Sequence, residues 1–460
     1  MIPFGILADD LTGACDCGVQ FSARGARVRV LLSSEHSPEG HSPRGQGEWD
    51  VTVVNTESRH ASPRDAARKV REGINLLAEA SAPLGYKKID STLRGNIADE
   101  LRPLIQAGMT VVVCPAFPRL GRSVEGGHVL VKGIPVHESE VGRDPFDPVR
   151  ESHLPTLLEG ALNLGTGILS PEGGRDGQGA LDDQVDRLLR SGARLLVADA
   201  STDEHLLSLG ATLAQRSGSL VGVGSAGLAQ ALAKVVLGAK RSPPHPPEFV
   251  GTPIGSGRRA GNLVLVVAGS RHPATVAQLD SPALRERAAR FQCDPREFNV
   301  AWSREQCQAY CRKVEHEFSE AIKSGTTLLM ISIAPDSTMD EVEEPMERVR
   351  LRSGRLNSIL GELALHLGKS LPLAGLVLTG GDTARSVLNA FGASALQLGR
   401  ELYPGIPLGW IDDPDWRGLP VVTKSGAFGE ADVLSKLAAE LAGSSPDDIQ
   451  GKPGSGGPYR

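Results

Sequence analysis

Short apolar runs of strand length alternate with amphipathic stretches along most of the chain, an order that leaves few architectures open. Phe4–Leu7, Arg27–Leu32, Val51–Asn55, Tyr86–Ile89, Thr110–Cys114 and Leu195–Ala198 have the length and apolar content of buried strands. Helical patterns such as Pro63–Ala80 and Leu181–Arg190 lie between them, which is the βαβ signature of a parallel sheet covered by helices. This block closes with Val221–Gly224 and a helix of small residues, Ala226–Leu237. From Gly238 to Gly261 the texture changes to Pro, Gly and Ser with neither hydrophobic period, as in an interdomain linker. The alternation then restarts, with Leu263–Ala268, Thr326–Ile333 and Leu373–Leu378 as strands and Arg304–Ile322 and Glu343–Leu367 as long helices. The spacing predicts two α/β domains with largely parallel sheets, residues 1–237 and 262–442, joined by linker 238–261 and followed by a disordered polar tail, 443–460.

Composition removes several function classes. Among 460 residues, 49 Lys plus Arg stand against 55 Asp plus Glu, a net charge of −6. That balance gives no electrostatic footprint for nucleic acid, and aromatics at 4 % offer little for stacking bases. No run is long and apolar enough for a membrane span, and the first residues lack the pattern of a signal peptide, so a cytoplasmic location is expected. The six cysteines include no CxxC pair, and no His/Cys cluster has zinc spacing, so no protein-built metal site is expected. The 54 glycines, by contrast, call for tight turns and close backbone approaches.

Several of those turns stand at strand ends, where ligands bind in open parallel sheets. The first strand runs into Asp9-Asp10-Leu11-Thr12-Gly13. One Asp suffices to cap the next helix, which leaves the other for hydroxyl contact, metal binding or base work. Lys88-Ile89-Asp90-Ser91-Thr92-Leu93-Arg94-Gly95-Asn96 repeats the theme before a helix at Ile97–Ile105, with hydroxyls and an Arg suited to a carboxylate. The segment from Cys114 to His128 adds Arg119, Arg122 and His128 among prolines and glycines, which makes Arg122 and His128 candidate substrate contacts.

In the second half, Gly269-Ser270 follows a strand and precedes Pro273, a phosphate-friendly turn. Gly380-Gly381-Asp382-Thr383 joins strand to helix through paired glycines, and Lys424-Ser425-Gly426 opens a third glycine loop. Three such turns in one domain favour a nucleotide site. Gly368-Lys369-Ser370 is not a P-loop, because Leu363 stands where its first glycine belongs; Gly368 reads instead as a helix C-cap.

Together ADDLTGA at 8–14, KIDSTLRGN at 88–96, GHVLVKGIPV with the later Asp144-Pro145, VGSAGLA at 223–229, VAGSRHPAT at 267–275 and LTGGDTA at 378–384 resemble the four-carbon acid sugar kinases. The resemblance covers about residues 1–442 in order. It implies an N-terminal acid-sugar domain, a C-terminal nucleotide domain, and ATP-dependent phosphorylation of threonate, erythronate or 3-oxo-tetronate at the terminal hydroxyl. By the same resemblance the acid sugar lies near Asp9, Asp10, Asp90 and Arg94. ATP lies against Ser270, Gly380, Gly381, Asp382, Thr383 and Gly426. One departure is Val124, in GRSVEGG, where the family leads one to expect a second hydroxyl.

Phosphoryl transfer needs positioning, charge neutralisation and an acceptor for the hydroxyl proton. Mg²⁺ on the ATP phosphates is therefore expected, with Asp9 or Asp10 of the first domain or Asp382 of the second as the catalytic carboxylate, and domain closure about the linker would join the substrates. A phosphosugar isomerase or hydrolase using the same loops is the rival enzyme, and a non-catalytic sugar-acid sensor the rival binder. The long helices leave a homo-oligomer open.

Overall fold

The computed structural model describes residues 3–32, 49–143, 147–171, 175–238, 261–298, 302–334 and 346–443. The linker apart from Gly238 and Gly261, the tail apart from Gly443, and the Asp144-Pro145 motif lie outside the described residues. The chain divides into two compact units.

The first unit holds the described residues up to 238 together with Ser394–Glu401. Its strands are β1 (Phe4–Ala8), β2 (Val28–Leu31), β3 (Val51–Asn55), β4 (Leu84–Lys88), β5 (Thr110–Cys114), β6 (Arg122–Glu125), β7 (His128–Val131), β8 (Ile134–Pro135), β9 (Thr166–Leu169), β10 (Leu195–Ala198) and β11 (Leu220–Gly224). In the main sheet these run parallel in the order β2-β3-β1-β4-β11-β5-β10-β9, while β6, β7 and β8 form a small antiparallel sheet of their own. VTVVN and TVVVC are buried at every position because helices cover both faces. The helices start where the side chains dictate. Asp10 caps Leu11–Ser22, Ser62 with Pro63 at the first helical position starts Pro63–Glu79, and Thr202 and Ser225 cap Asp203–Gln215 and Ala226–Leu237.

The second unit contains β12 (Leu263–Ala268), β13 (Ala288–Cys293), β14 (Leu328–Ile333), β15 (Leu373–Thr379), most of the chain leading into and out of β16 (Ala395–Tyr403), then β17 (Ile406–Ile411) and β18 (Pro420–Lys424). Its order is β13-β14-β12-β15-β18-β17, parallel except for β17 against β18. Val264, Val266, Met330, Val377 and Val422 pack with Leu434 and Leu437 of the helix Val433–Ala442 to form its core.

Both sheets are mainly parallel, as the alternation predicts. Two local expectations need correction. Residues 262–442 do not all belong to one unit: Ser394–Glu401 joins the first, where Ala395–Leu398 pairs antiparallel with Leu31–Val28 of β2. Gly368 is no C-cap, since its helix runs from Met346 to Ser370; a Cβ there would stand 3.0 Å from both Phe391 and Trp416, so the glycine serves close packing. Among the described residues no helix is long and apolar enough to cross a membrane.

Candidate active site

The carboxyl ends of β1, β3 and β4, adjacent in the sheet, carry a charged cluster. Arg59, in the turn after β3, ties it together. Its Nε donates to Asp9 Oδ2 at 2.7 Å, and Nη1 and Nη2 donate to Asp10 Oδ2 and Oδ1 at 2.8 and 2.7 Å. Asp10 meanwhile accepts from the Gly13 amide at 2.9 Å and the Thr12 hydroxyl at 2.6 Å, so it caps the helix and anchors the guanidinium at once. Asp9 is the spare carboxylate: it is 2 % exposed, and its Oδ1 has no hydrogen-bond partner. Burial disfavours its charge, but Arg59, with Lys88 and Lys87 behind, more than offsets that and holds the carboxyl below its ordinary range. Lys87 is itself matched by Glu100 at 2.6 Å, both fully buried.

Asp90 is the second focus. Arg94 forks onto it, Nε to Oδ2 at 2.7 Å and Nη2 to Oδ1 at 3.2 Å, and Thr92 donates to the same carboxylate. Burial again opposes ionisation, yet Arg94 and Arg59 hold Asp90 well below the usual carboxylate range. Asn96 braces the loop, its amide donating to the carbonyls of Ser58, Arg59 and Ala61 and thereby joining the β3 and β4 ends. Arg122, at the start of β6, donates through Nη1 to Ser91, while its Nε is buried without a partner. Asp9, Asp10, Asp90, Arg94 and Arg122 are thus brought together. His128 is not part of that set: its Nδ1 meets Ser152 Oγ at 3.1 Å and its ring lies 4.6 Å from that of His153. Val124 is fully buried, and its amide donates to Ala200, so the departure from the expected hydroxyl is a packing position.

In the second unit the three glycine turns converge at the ends of β12, β15 and β18. A Cβ on Gly426 would overlap Ser270 Oγ, and one on Gly269 would overlap Thr383 Oγ1. Gly380, at φ +100°, adopts a conformation that favours glycine, and its would-be Cβ stands 3.3 Å from Ser270. The glycines therefore let the three turns close tightly around the Ser270 and Thr383 hydroxyls, at the N-terminus of the helix Gly381–Ala390. Thr383 donates to Asn357 Oδ1 at 2.9 Å, and Asp382 is mostly exposed beside Arg385.

Sequence reading missed Arg59 and Lys424. Arg59 follows Thr56-Glu57-Ser58 in a turn without glycine or repeat, and its only signal is position after a strand. Lys424 reads as an ordinary charge at a strand end, yet it is fully buried beneath its loop.

A charged cluster at the strand ends of one unit and glycine turns at those of the other are the features expected of a phosphotransferase acting on a small hydroxylated acid. Comparison with known proteins agrees: residues 4–232 match the Sugar-binding N-terminal domain and residues 265–434 the Nucleotide-binding C-terminal domain. A D-threonate kinase of Bordetella bronchiseptica is 34 % identical over 447 residues, 95 % of this chain and 97 % of the relative. A D-threonate kinase of Cupriavidus necator is 35 % identical, covering 93 % and 95 %. A D-erythronate kinase of Heliobacterium modesticaldum is 28 % identical, covering 93 % and 94 %. A solved Salmonella typhimurium structure shares the fold with a TM-score of 0.74 at 23 % identity, over 96 % of this chain and all of that one. The chain belongs to the four-carbon acid sugar kinase family and is an ATP-dependent phosphotransferase.

Proposed function

We propose that the enzyme phosphorylates D-threonate at its terminal C4 hydroxyl, with ATP as donor. The observation that carries this reading is that three D-threonate kinases match nearly the whole chain at 31–35 % identity, against 28 % for a D-erythronate kinase and a 3-oxo-tetronate kinase. In this reading Arg122, whose buried Nε has no internal partner, takes the substrate carboxylate, aided by the side of Arg94 that Asp90 leaves unused. Asp90 and Asp10, both pinned by arginines, accept hydroxyl protons of the polyol. Asp9 is the base: its unpartnered Oδ1 is buried and held in place by the grip of Arg59 on Oδ2. A carboxylate of low pKa suits this step, since the transition state is loose and needs an oriented acceptor more than a strong one.

The turns at Ser270, Gly380, Gly381, Thr383 and Gly426 suit polyphosphate, because two hydroxyls and closely packed glycine backbone meet there at a helix N-terminus. Mg²⁺ belongs to the same proposal. Among the described residues no three His, Cys, Asp or Glu gather into a cage, which suits an ion held chiefly by phosphates, with Asp382 the carboxylate of the nucleotide turn that would share it. A cytoplasmic location is in keeping with six free cysteines.

The test is ADP release measured with D- and L-threonate, D- and L-erythronate and 3-oxo-tetronates. D-Threonate is expected to give the highest kcat/KM. A clear preference for another acid overturns the substrate assignment, and turnover of none of them overturns the reading as a whole.

A further inference from the structure

Lys424 ends β18 directly behind the third glycine loop, and its ammonium is fully buried. Its partners are three backbone carbonyls of that loop: Ser425 at 2.9 Å, Phe428 at 3.0 Å and Gly426 at 3.4 Å. No carboxylate of the described residues lies within ion-pair distance of it, although a buried cation is ordinarily matched by one. Two of these carbonyls, and that of Gly429, are also claimed by neighbouring side chains. Thr275 donates to Gly426 at 2.8 Å, and the Gln278 amide donates to Phe428 and Gly429 at 2.9 and 2.8 Å. The loop therefore has its acceptors drawn to one side by a lysine, a threonine and a glutamine. Its opposite side, at Gly426, lies bare against Ser270.

An ammonium with three acceptors and no anion does two things. It holds carbonyls inward, which turns the peptide units so that a concave run of amides can face an anion. It also leaves a net positive charge a single peptide layer behind the surface where that anion would sit. We infer that Lys424 is the positioning residue of the nucleotide site, shaping the Ser425–Gly429 loop from behind and supplying the charge that balances bound phosphate without touching it. The inference rests on the reading of the glycine turns as the phosphate cradle. It also explains why so costly a residue stands where Met would fill the same space.

The geometry has a thermodynamic signature. Burial already lowers the Lys424 ammonium to about 8, and phosphate on the far side of the loop favours its charged form. The other titratable groups at the cradle are His272, whose Nδ1 accepts from the Ala274 amide, and Asp382 with Arg385 on the helix after Gly380. Nucleotide binding should thus draw a proton onto Lys424 at pH 8, whereas at pH 6.5 Lys424 is already protonated and contributes no uptake.

The experiment is calorimetric titration of ADP into the full chain at both pH values, in buffers of different ionisation enthalpy. The wild type is expected to take up part of a proton at pH 8 that Lys424→Met does not, with the two alike at pH 6.5, and Lys424→Met to show an ADP Kd raised about tenfold or more, a weakening of about 1.4 kcal/mol. Gly426→Ala, whose methyl would push the Ser270 hydroxyl out of the turn, tests the underlying reading. If it leaves the Kd unchanged, the site is not there. If Gly426→Ala weakens ADP while folded Lys424→Met matches wild type in Kd and proton uptake, the site stands and the role of Lys424 falls. Should Lys424→Met fail to fold, the wild-type titration decides alone, and absence of uptake at pH 8 refutes the inference.

Discussion

Replacing Arg59 by Met would remove a cation that bonds directly to both Asp9 and Asp10. Three hydrogen bonds of 2.7–2.8 Å disappear, and Asp9, 2 % exposed, loses its ion pair with Arg59 while Lys88 and Lys87 remain as more distant charges. Breaking a buried pair from one side typically costs about 3–5 kcal/mol, because the surviving charge stays desolvated. The residual lysines place the expected loss toward the lower end, about 3 kcal/mol at pH 7. The pH dependence is distinctive. In the wild type the folded Asp9 titrates below its unfolded value, so its contribution is present above that value and vanishes as pH falls through the folded one. In Arg59→Met, burial is opposed only by the lysines and Asp9 moves up, so the penalty is largest at neutral pH and is relieved by protonation. The stability gap should narrow as pH falls from 7 to 4. Hydrogen exchange of the β1, β3 and β4 amides, read at several pH values, localises the effect to the first unit. A gap under about 0.5 kcal/mol at pH 7, within the range of an ordinary surface change, or one independent of pH would refute the reasoning. Arg59→Lys should recover only part, since one ammonium cannot fork across two carboxylates.

Other variants separate the roles. Gly269→Ala places a methyl against Thr383 and 2.9 Å from Asn357 Oδ1, and should cost about 1–3 kcal/mol and raise the KM for ATP while sparing that for the acid. Lys87→Met strands buried Glu100 and should lose about 3 kcal/mol in thermal unfolding, much of it restored in the Lys87→Met/Glu100→Gln pair. Asp9→Asn should lower kcat about 100-fold or more with the KM for the acid little changed, and Asp382→Asn should act mainly through ATP and Mg²⁺ dependence; steady-state kinetics with both substrates varied would reverse the assignment if the two patterns were exchanged.

What the sequence disclosed depended on whether the signal was local. FGILA followed by Asp9-Asp10 shows a strand, its end and its carboxylates within one window, and the same holds for Asp90 with Arg94 and for the paired glycines at 380–381. Arg59 was hidden because its partners lie fifty residues away and meet it only through the β1–β3 pairing. Lys424 was hidden because burial, not identity, makes it unusual. The antiparallel sheet at β6–β8 was masked by a Pro- and Gly-rich stretch that reads as loop, and His128 looked functional for the same reason. Ser394–Glu401 follows the second unit's helices in sequence, and only its pairing with β2 reveals where it belongs.

The central claim is that the enzyme moves a phosphoryl group from ATP to the terminal hydroxyl of a four-carbon acid. Nuclear magnetic resonance of the product made from isotopically labelled D-threonate tests it most directly. Phosphorus coupling to C4 and its protons, with one ADP formed per ester, is the predicted result. Coupling at C2 or C3, an acyl phosphate, or inorganic phosphate without any ester would contradict it.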